Sequence, residues 1–228
     1  MNIISHTGIG KRKENQDIIL IDQLSSDTQI YLIADGMGGY SNGKKAADLV
    51  AGTVFNYLRN CNQVNSTSID EAIKKANLSI KGLIDQYDTK SGATLGCLIL
   101  GQEKSFLFWV GDVSLYLFKD DNQIFKSKSH SLINEMLDMG NIISSENIEK
   151  YKHIVTKSIS GKREIIEKGF FEISNNDYDK FLICSDGVTD TISLNDFVKV
   201  NVNDLNAVLK NKSKDNYSYI LGEKDEIL

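Results

Sequence analysis

The sequence contains no proline and only three arginines among its 228 residues, although lysine and arginine together number 26. Proline makes up about 5% of an average protein. The turns of this chain must therefore be built from glycine, asparagine, aspartate and serine. Because lysine supplies nearly all of the positive charge, each arginine is a better candidate for a specific role than it would be in an ordinary composition.

Long hydrophobic runs are also absent. The longest, such as ATLGCLILG, has the length of a strand, whereas a membrane span needs roughly 18 apolar residues. The N-terminus reaches the charged residue Lys11 without the apolar stretch of a secretory signal. We therefore expect a cytoplasmic protein with no membrane segment.

The charge is acidic overall, with a net value of -5 at neutral pH. The one dense basic run, Lys11 to Lys13, is shorter than the roughly 5–8 residues that are typical of a nucleic-acid patch. This balance argues against nucleic acid as a partner.

Cysteine is scarce as well. Cys61, Cys97 and Cys184 are odd in number and far apart, and two of them lie within apolar runs. We expect reduced thiols in the core rather than disulfides, zinc ligands or a nucleophile.

The pattern of apolar residues predicts strands and helices of ordinary length. Two segments, 42–61 and 68–87, show helical spacing, and Ser68 with Glu71 forms a capping box at the start of the second. Shorter helices are predicted near 131–139 and 203–211. Runs of strand length occur at 17–22, 30–35, 94–101, 105–112, 114–118, 170–174, 181–186 and 217–222.

The order of these elements favours antiparallel sheets with helices on an outer face. Several strands follow one another with hairpin-length gaps, which is unlike the alternation of strands and helices around a parallel sheet. Because neither an internal repeat nor a linker interrupts the chain, we expect one domain over residues 1–228.

Aspartates stand at the ends of the apolar runs. Asp35, Asp112 and Asp186 end three of them, Asp17 opens a fourth, and Asp215 precedes a fifth. Any one of these acids is explained by turn chemistry, since Asp-Gly suits tight turns. Several acids clustered against apolar strands would be costly without a cation. Ligands that are all oxygen select Mg²⁺ or Mn²⁺.

A phosphate-binding loop is an alternative interpretation of the same region. Residues 38–44 match the pattern G-x-x-x-x-G-K, but Lys45 stands where a serine or threonine should follow. Residues 35–37 also separate the strand from the first glycine of the pattern. We favour a backbone that turns beside a metal, with Gly36 free to present its carbonyl.

Seven motifs follow one another along nearly the whole chain: GKRKENQD, IADGMGGYSNGKKAA, SGAT, VGDVSLYLF, SHSL, FLICSDGVTD and DNYSYI. In this order they resemble the metal-dependent serine/threonine protein phosphatases of type 2C, in their compact bacterial form. The resemblance implies a fold of the α+β class. This fold is a four-layer α-β-β-α sandwich in which two packed antiparallel sheets carry helices on both outer faces.

The resemblance also implies a site with two Mn²⁺ or Mg²⁺ ions. Asp35 would bridge them with help from the Gly36 carbonyl, and Gln16 would hold a metal-bound water. Asp112 together with Asp186 would hold a weaker third ion. The remaining implied ligands of the two ions, in part through water, are Asp17, Asp186 and Asp215. Arg12, whose planar fork suits phosphoryl oxygens, would stabilise the charge that develops during the reaction.

The implied activity is that of a protein serine/threonine phosphatase, a hydrolase that attacks phosphoserine or phosphothreonine with a metal-activated water. The partners would be proteins phosphorylated by a bacterial serine/threonine kinase, and we expect a monomer. Two alternatives remain open. The chain would otherwise be a catalytically inactive relative that binds phosphoproteins, or a hydrolase of small phosphoesters.

Several residues depart from the family pattern. Met37 stands where animal members have a histidine that is proposed to protonate the leaving group, so water must supply that proton here. Ser129 replaces the usual aspartate before His130, which we expect to be a hydrogen-bonded core histidine. We expect no cluster of catalytic or metal-binding residues around His153.

Overall fold

The computed structural model describes residues 1–37, 42–87, 90–162, 166–194 and 202–224. Within these ranges, ten strands form two antiparallel sheets of five strands each. Sheet A has the order β1 (Asn2–Gly8), β10 (Tyr217–Glu223), β9 (Lys180–Cys184), β6 (Ser114–Lys119) and β7 (Asn122–Lys126). Sheet B has the order β2 (Asp17–Ser25), β3 (Thr28–Met37), β4 (Gly92–Leu100), β5 (Lys104–Val110) and β8 (Gly169–Ser174).

Helices cover the outer faces of both sheets. The described helices are α1 (Gly43–Arg59), α2 (Ser66–Tyr87), α3 (Leu132–Asp138), α4 (Ser145–Tyr151), α5 (Asp186–Thr189) and α6 (Val202–Lys212). Helices α1 and α2 pack on sheet B, and α5 and α6 pack on sheet A. The predicted α-β-β-α sandwich is thus confirmed. None of the helices in the described part of the chain is long and apolar enough to cross a membrane.

Three apolar layers hold the four layers of structure together. The alternation along β3 shows how: Ile30, Leu32 and Ala34 pack in the layer under α1 and α2, whereas Tyr31 and Ile33 pack between the two sheets. Successive side chains of a strand point to opposite faces. Asp35, the next position after Ala34, therefore falls on the inter-sheet side, where the strand ends.

Two strands and two helices were not predicted from the sequence. β1 and β7 are the edge strands of sheet A, and their side chains are mostly exposed or half-buried, so their apolar alternation is weak. Helices α4 and α5 have only seven and four residues. Four residues are too few to show a helical period, and α4 has no buried side chain that would mark an apolar face.

The predicted capping box at Ser68 and Glu71 is wrong. Helix α2 begins two residues before Ser68, at Ser66, because Asn65 caps it. The Ser68 backbone N–H donates to Asn65 Oδ1 (3.0 Å), and the Asn65 backbone N–H donates to Ser68 Oγ (2.8 Å). Ser68 is therefore the second partner of the box rather than its cap. Glu71 instead lies 3.6 Å from Lys74 Nζ.

The three cysteines are free thiols, as expected from the sequence. Cys97 and Cys184 are buried, and burial raises the pKa of the Cys184 thiol to about 12. A protonated thiol in an apolar layer acts as a small hydrophobic side chain.

His130 holds the turn that follows β5. The His130 ring Nδ1 accepts a hydrogen bond from the Gly111 backbone N–H (3.1 Å), and the His130 backbone N–H donates to the Gly111 carbonyl (2.8 Å). The ring also stacks on Trp109, with 6.4 Å between ring centroids. The expected hydrogen-bonded histidine is thus confirmed, and it fixes the backbone just before Asp112.

The neutral His130 ring predicts a pH-dependent part of the stability. Burial, followed by the charge of Lys157, lowers the pKa of His130 from 6.5 to about 4. The stability contributed by the neutral ring is complete above pH 6.5 and is lost as the pH falls toward 4. Between pH 7 and 5, the free energy of unfolding of the wild type should fall by about 1 kcal/mol more than that of His130→Asn. This difference is smaller than the pKa shift alone would give, because the ring is partly exposed to solvent.

Urea unfolding of both proteins in EDTA at the two pH values measures this difference. The buried acids titrate alike in the two proteins and cancel in the comparison. Equal losses in the wild type and the variant would contradict the role given to the neutral ring.

Candidate metal centre

The antiparallel pairing brings four aspartates to one end of the sandwich. In sheet B, Asp17 is the first residue of β2 and pairs directly with Asp35 near the end of β3. In sheet A, Asp186 follows the end of β9, and Asp215 comes just before the start of its neighbour β10. Neighbouring antiparallel strands begin and end at the same edge of a sheet. The two sheets therefore present their acids at a common edge.

A fifth acid reaches the same edge through a turn that requires glycine. Gly111 has a φ of 103°, which favours glycine, and a Cβ there would lie 2.4 Å from the Thr94 side chain. This turn, held by His130 on its other side, ends β5 and carries Asp112.

The acids surround a cleft with a volume of about 1220 Å³. Asp35, Asp112, Asp186 and Asp215 line it. Asp17 lies beneath the floor, where only 5% of the residue is exposed. The cleft lining also includes Arg12, Gln16 and Gly36. The structure thus brings all of the site residues predicted from the sequence to this one place.

Burial makes these carboxylates hard to ionise. It raises the pKa of Asp186 to about 8 and that of Asp17 to about 6, and nearby carboxylates add to both effects. The pKa of Asp35 is raised well above its ordinary value, first by burial and then by the charge of Asp17. Burial also raises the pKa of Asp112. A bound cation would offset both the desolvation and the mutual repulsion.

The donor atoms fit a hard divalent cation. Asp17 Oδ2 accepts a hydrogen bond from Ser185 Oγ (2.9 Å), but Asp17 Oδ1 is buried and has no hydrogen-bond partner within the described residues. Such an oxygen is costly unless something binds it. The five predicted side-chain ligands are all carboxylates, the set that Mg²⁺ and Mn²⁺ prefer over softer metals.

Close backbone packing explains the glycine that follows Asp35. The Gly36 N–H donates to the Gln16 carbonyl (3.2 Å), and a Cβ on Gly36 would lie 2.3 Å from the Gly43 carbonyl oxygen. Likewise, a Cβ on Gly43 would lie 2.2 Å from Gln16 Oε1. The start of α1 therefore fits directly against Gln16 and the end of β3. Residues 38–41, where the phosphate-loop pattern begins, lie outside the described part of the chain.

Arg12 lies at the rim of the cleft, with 56% of its side chain exposed. Its Nη2 donates to Asp215 Oδ2 at 2.5 Å, and this hydrogen bond raises the pKa of the guanidinium. The contact holds the arginine next to the acids while leaving most of the side chain accessible.

Two further polar residues, His153 and Asp190, lie at the site and were not predicted from the sequence. His153, Asp186 and Asp190 each have an atom that could bind a metal ion, and these three atoms lie within 4.8 Å of one another. The expectation that no cluster of potential metal-binding residues surrounds His153 is therefore wrong. Asp190 follows Asp186 at a spacing of four, a signal of one helical face that was available from the sequence. His153 is brought there by the tertiary structure, since it follows α4 and is remote in the chain.

Known proteins share this architecture. The family model described as "Protein phosphatase 2C" matches residues 6–218. Protein phosphatase PhpP of Streptococcus pneumoniae is 28% identical over 201 residues, which cover 85% of this chain and 81% of that protein.

Solved structures agree in fold. The serine/threonine phosphatase of S. agalactiae superposes with a TM-score of 0.86 at 22% identity, covering 98% of this chain and 99% of that one. The catalytic domain of the phosphatase PstP in complex with two manganese ions gives a TM-score of 0.79 at 20% identity, with 98% of both chains covered. Since the family model spans nearly the whole sequence, this chain belongs to the protein phosphatase 2C family.

Proposed function

We propose that the acidic cleft is the active site of a metal-dependent phosphatase that hydrolyses phosphoserine and phosphothreonine in proteins. The observation that carries this proposal is the convergence of five aspartates from both sheets on one cleft, where burial opposes their ionisation. A fold with no cation to bind has no reason to bear that electrostatic cost. The family and the names of its relatives supply the reaction class.

Each acid has a proposed place in the site. Asp35, with the Gly36 carbonyl, would lie between two Mn²⁺ or Mg²⁺ ions, and Gln16 would position a water. Asp112 with Asp186 would hold a weaker third ion, beside Asp190 and His153. The other ligands of the two ions would be Asp17, Asp186 and Asp215. When bound, such ions lower the pKa of a water and withdraw charge from phosphoryl oxygens.

The side chains around the ions would then bind and orient the substrate. Arg12 can direct its planar donors at the phosphoryl oxygens, where negative charge builds up in the transition state. Met37 lines the cleft but carries no proton to donate, so the leaving serine or threonine oxygen would take its proton from water. No side chain needs to form a covalent bond with phosphorus.

The proposed biological setting follows from the sequence and the family alone. The substrates would be proteins phosphorylated by a serine/threonine kinase in the cytoplasm. The protein would act as a monomer. Residues 1–228 would form one catalytic domain.

The metal-dependent reaction predicts a large loss of activity without the ions or without Asp35. Phosphate release from a phosphothreonine peptide in Mn²⁺ should fall by at least about 100-fold in EDTA or in Asp35→Ala, since charge stabilisation is worth several kcal/mol. Excess Mn²⁺ should restore the EDTA-treated wild type but not the variant. Activity that survives either change would contradict the proposal.

The same assay separates the alternatives. A protein that binds the phosphopeptide but never turns it over in Mn²⁺ would be an inactive phosphoprotein-binding relative. Far faster turnover of nucleotides than of peptides would indicate a hydrolase of small phosphoesters.

Removing one buried charge should stabilise the metal-free protein. Folding raises the pKa of Asp35 above its ordinary value of 3.8. Asp35 therefore lowers the free energy of unfolding as the pH rises from 3.8 through the pKa of the folded state, and this cost is absent below pH 3.8. Asp35→Asn in EDTA at pH 7 should melt at least about 2 °C higher than the wild type, the shift that 1 kcal/mol gives in a chain of this length.

Calorimetry in EDTA and in Mn²⁺ tests both halves of this statement. Mn²⁺ should raise the melting temperature of the wild type much more than that of Asp35→Asn. Thr53→Ser, on α1 and outside the cleft, serves as a matched control. A metal-free variant that melts below the wild type would overturn the electrostatic interpretation.

Arg12 is predicted to act on the phosphoryl group rather than on the fold. Arg12→Ala should lower kcat/KM for the phosphopeptide by about 10- to 100-fold, the value of one or two hydrogen bonds to a charged group. Arg12→Lys should recover only part of this loss, because a lysine lacks the planar fork. Kinetics at matched Mn²⁺ concentrations would refute the role if both variants kept wild-type values.

A further inference from the structure

The two sides of the cleft differ in charge. One side consists of the connection between β1 and β2, the end of α6 and the connection from α6 to β10. We call it the basic wall, because it carries the exposed lysines Lys11, Lys13, Lys212 and Lys214 around Arg12. The opposite side includes Glu149, Lys152 and His153.

Direct contacts join the two connections into one surface. Asn216 Nδ2 donates to the Ile9 carbonyl (3.0 Å) and to the Glu14 carbonyl (2.8 Å), and Arg12 pairs with Asp215. The parent strands β1 and β10 are paired along their whole length. The four lysines are therefore held on one side of the cleft although about 200 residues separate them in sequence.

The lysines of the basic wall have no ion-pair partner among the residues that the structure describes. Among the described residues, no carboxylate comes within ion-pair distance of Lys11, Lys13, Lys212 or Lys214. On the opposite side, by contrast, Lys152 Nζ lies 3.0 Å from Glu149 and 3.6 Å from Asp190. The basic wall also carries the carboxylates of Glu14 and Asp215, but its four lysines and Arg12 outnumber them. Among the described residues, the cleft is thus compensated on one side and has an excess of positive charge on the other, in a protein whose net charge is -5.

We infer that the basic wall binds acidic residues that flank the phosphorylated residue of a substrate protein. This inference rests on the proposed phosphatase function and names its substrate class. Unpaired lysines on a groove attract anionic chains and raise their association rate, and the effect is screened within about 8–10 Å in physiological salt. Because these lysines line one side of the cleft, the preference should favour acids on one side of the phosphorylated residue.

A simpler explanation makes a different prediction. In this explanation, the lysines attract only the phosphate dianion that every substrate shares. Their removal would then slow small and large substrates alike, whatever residues flank the phosphate.

The test compares three phosphothreonine peptides whose flanking residues are glutamate, glutamine or lysine, with para-nitrophenyl phosphate as a substrate that has no flanks. A second set places the glutamates only before or only after the phosphothreonine. The variants are Lys11→Gln with Lys13→Gln, and Lys212→Gln with Lys214→Gln. The control is Lys74→Gln with Lys75→Gln, a pair of exposed lysines on α2 that do not line the cleft.

The wild type should hydrolyse the glutamate peptide with the highest kcat/KM, and high salt should reduce this advantage. Each basic-wall double variant should lower kcat/KM for the glutamate peptide about three- to tenfold, the effect of two exposed charge pairs. Para-nitrophenyl phosphate should change less than about twofold, and the α2 control should leave all substrates unchanged.

Two results would overturn the inference and leave the phosphatase function standing. One is equal kcat/KM for the three peptides in the wild type. The other is an equal loss on all substrates, including para-nitrophenyl phosphate, in the basic-wall variants. If no peptide and no para-nitrophenyl phosphate were hydrolysed in Mn²⁺, the proposed function itself would fail, and this inference with it.

Discussion

Mutual repulsion among buried carboxylates is the constraint on which this structure depends. Asp17 and Asp35 face each other across a strand pair, and Asp186 approaches them from the other sheet. Burial and like charge both favour the protonated acids, as the raised pKa values of all three show. The protein can hold them together only on a frame whose stability comes from elsewhere, and a bound cation would relieve their repulsion.

The three apolar layers provide that frame. Strand β3 contributes to two of them at once, since its alternate residues face α1 on one side and sheet A on the other. Asp35 lies near the end of this doubly buried strand and cannot move away from its neighbours without disturbing both layers. The turn at Asp112 is fixed in a different way, by glycine geometry and by the hydrogen bonds of His130. Rigid supports of this kind keep ligands near a productive geometry.

Charge is divided between the floor and the sides of the cleft. The floor is acidic and suited to metal ions, whereas the basic wall is suited to anionic groups of the substrate. Asp215 belongs to both, because it lies among the acids and pairs with Arg12 at the rim. This pairing keeps a positive group beside the ligands without neutralising the exposed lysines next to it. In the proposed function, the acids would bind the metal ions and the lysines would recognise the substrate.

The sequence by itself determined the layer structure and the acids. Apolar runs of strand length predicted eight of the ten described strands, and the aspartates that adjoin five of these runs indicated the site, because strand ends meet at sheet edges. Only the tertiary structure decided the edge strands β1 and β7, the approach of His153 to Asp190, and the basic wall. The physical reason is the distance along the chain over which each signal acts. Periodicity and turn chemistry act over a few residues, whereas these features depend on contacts between segments that are far apart in the chain.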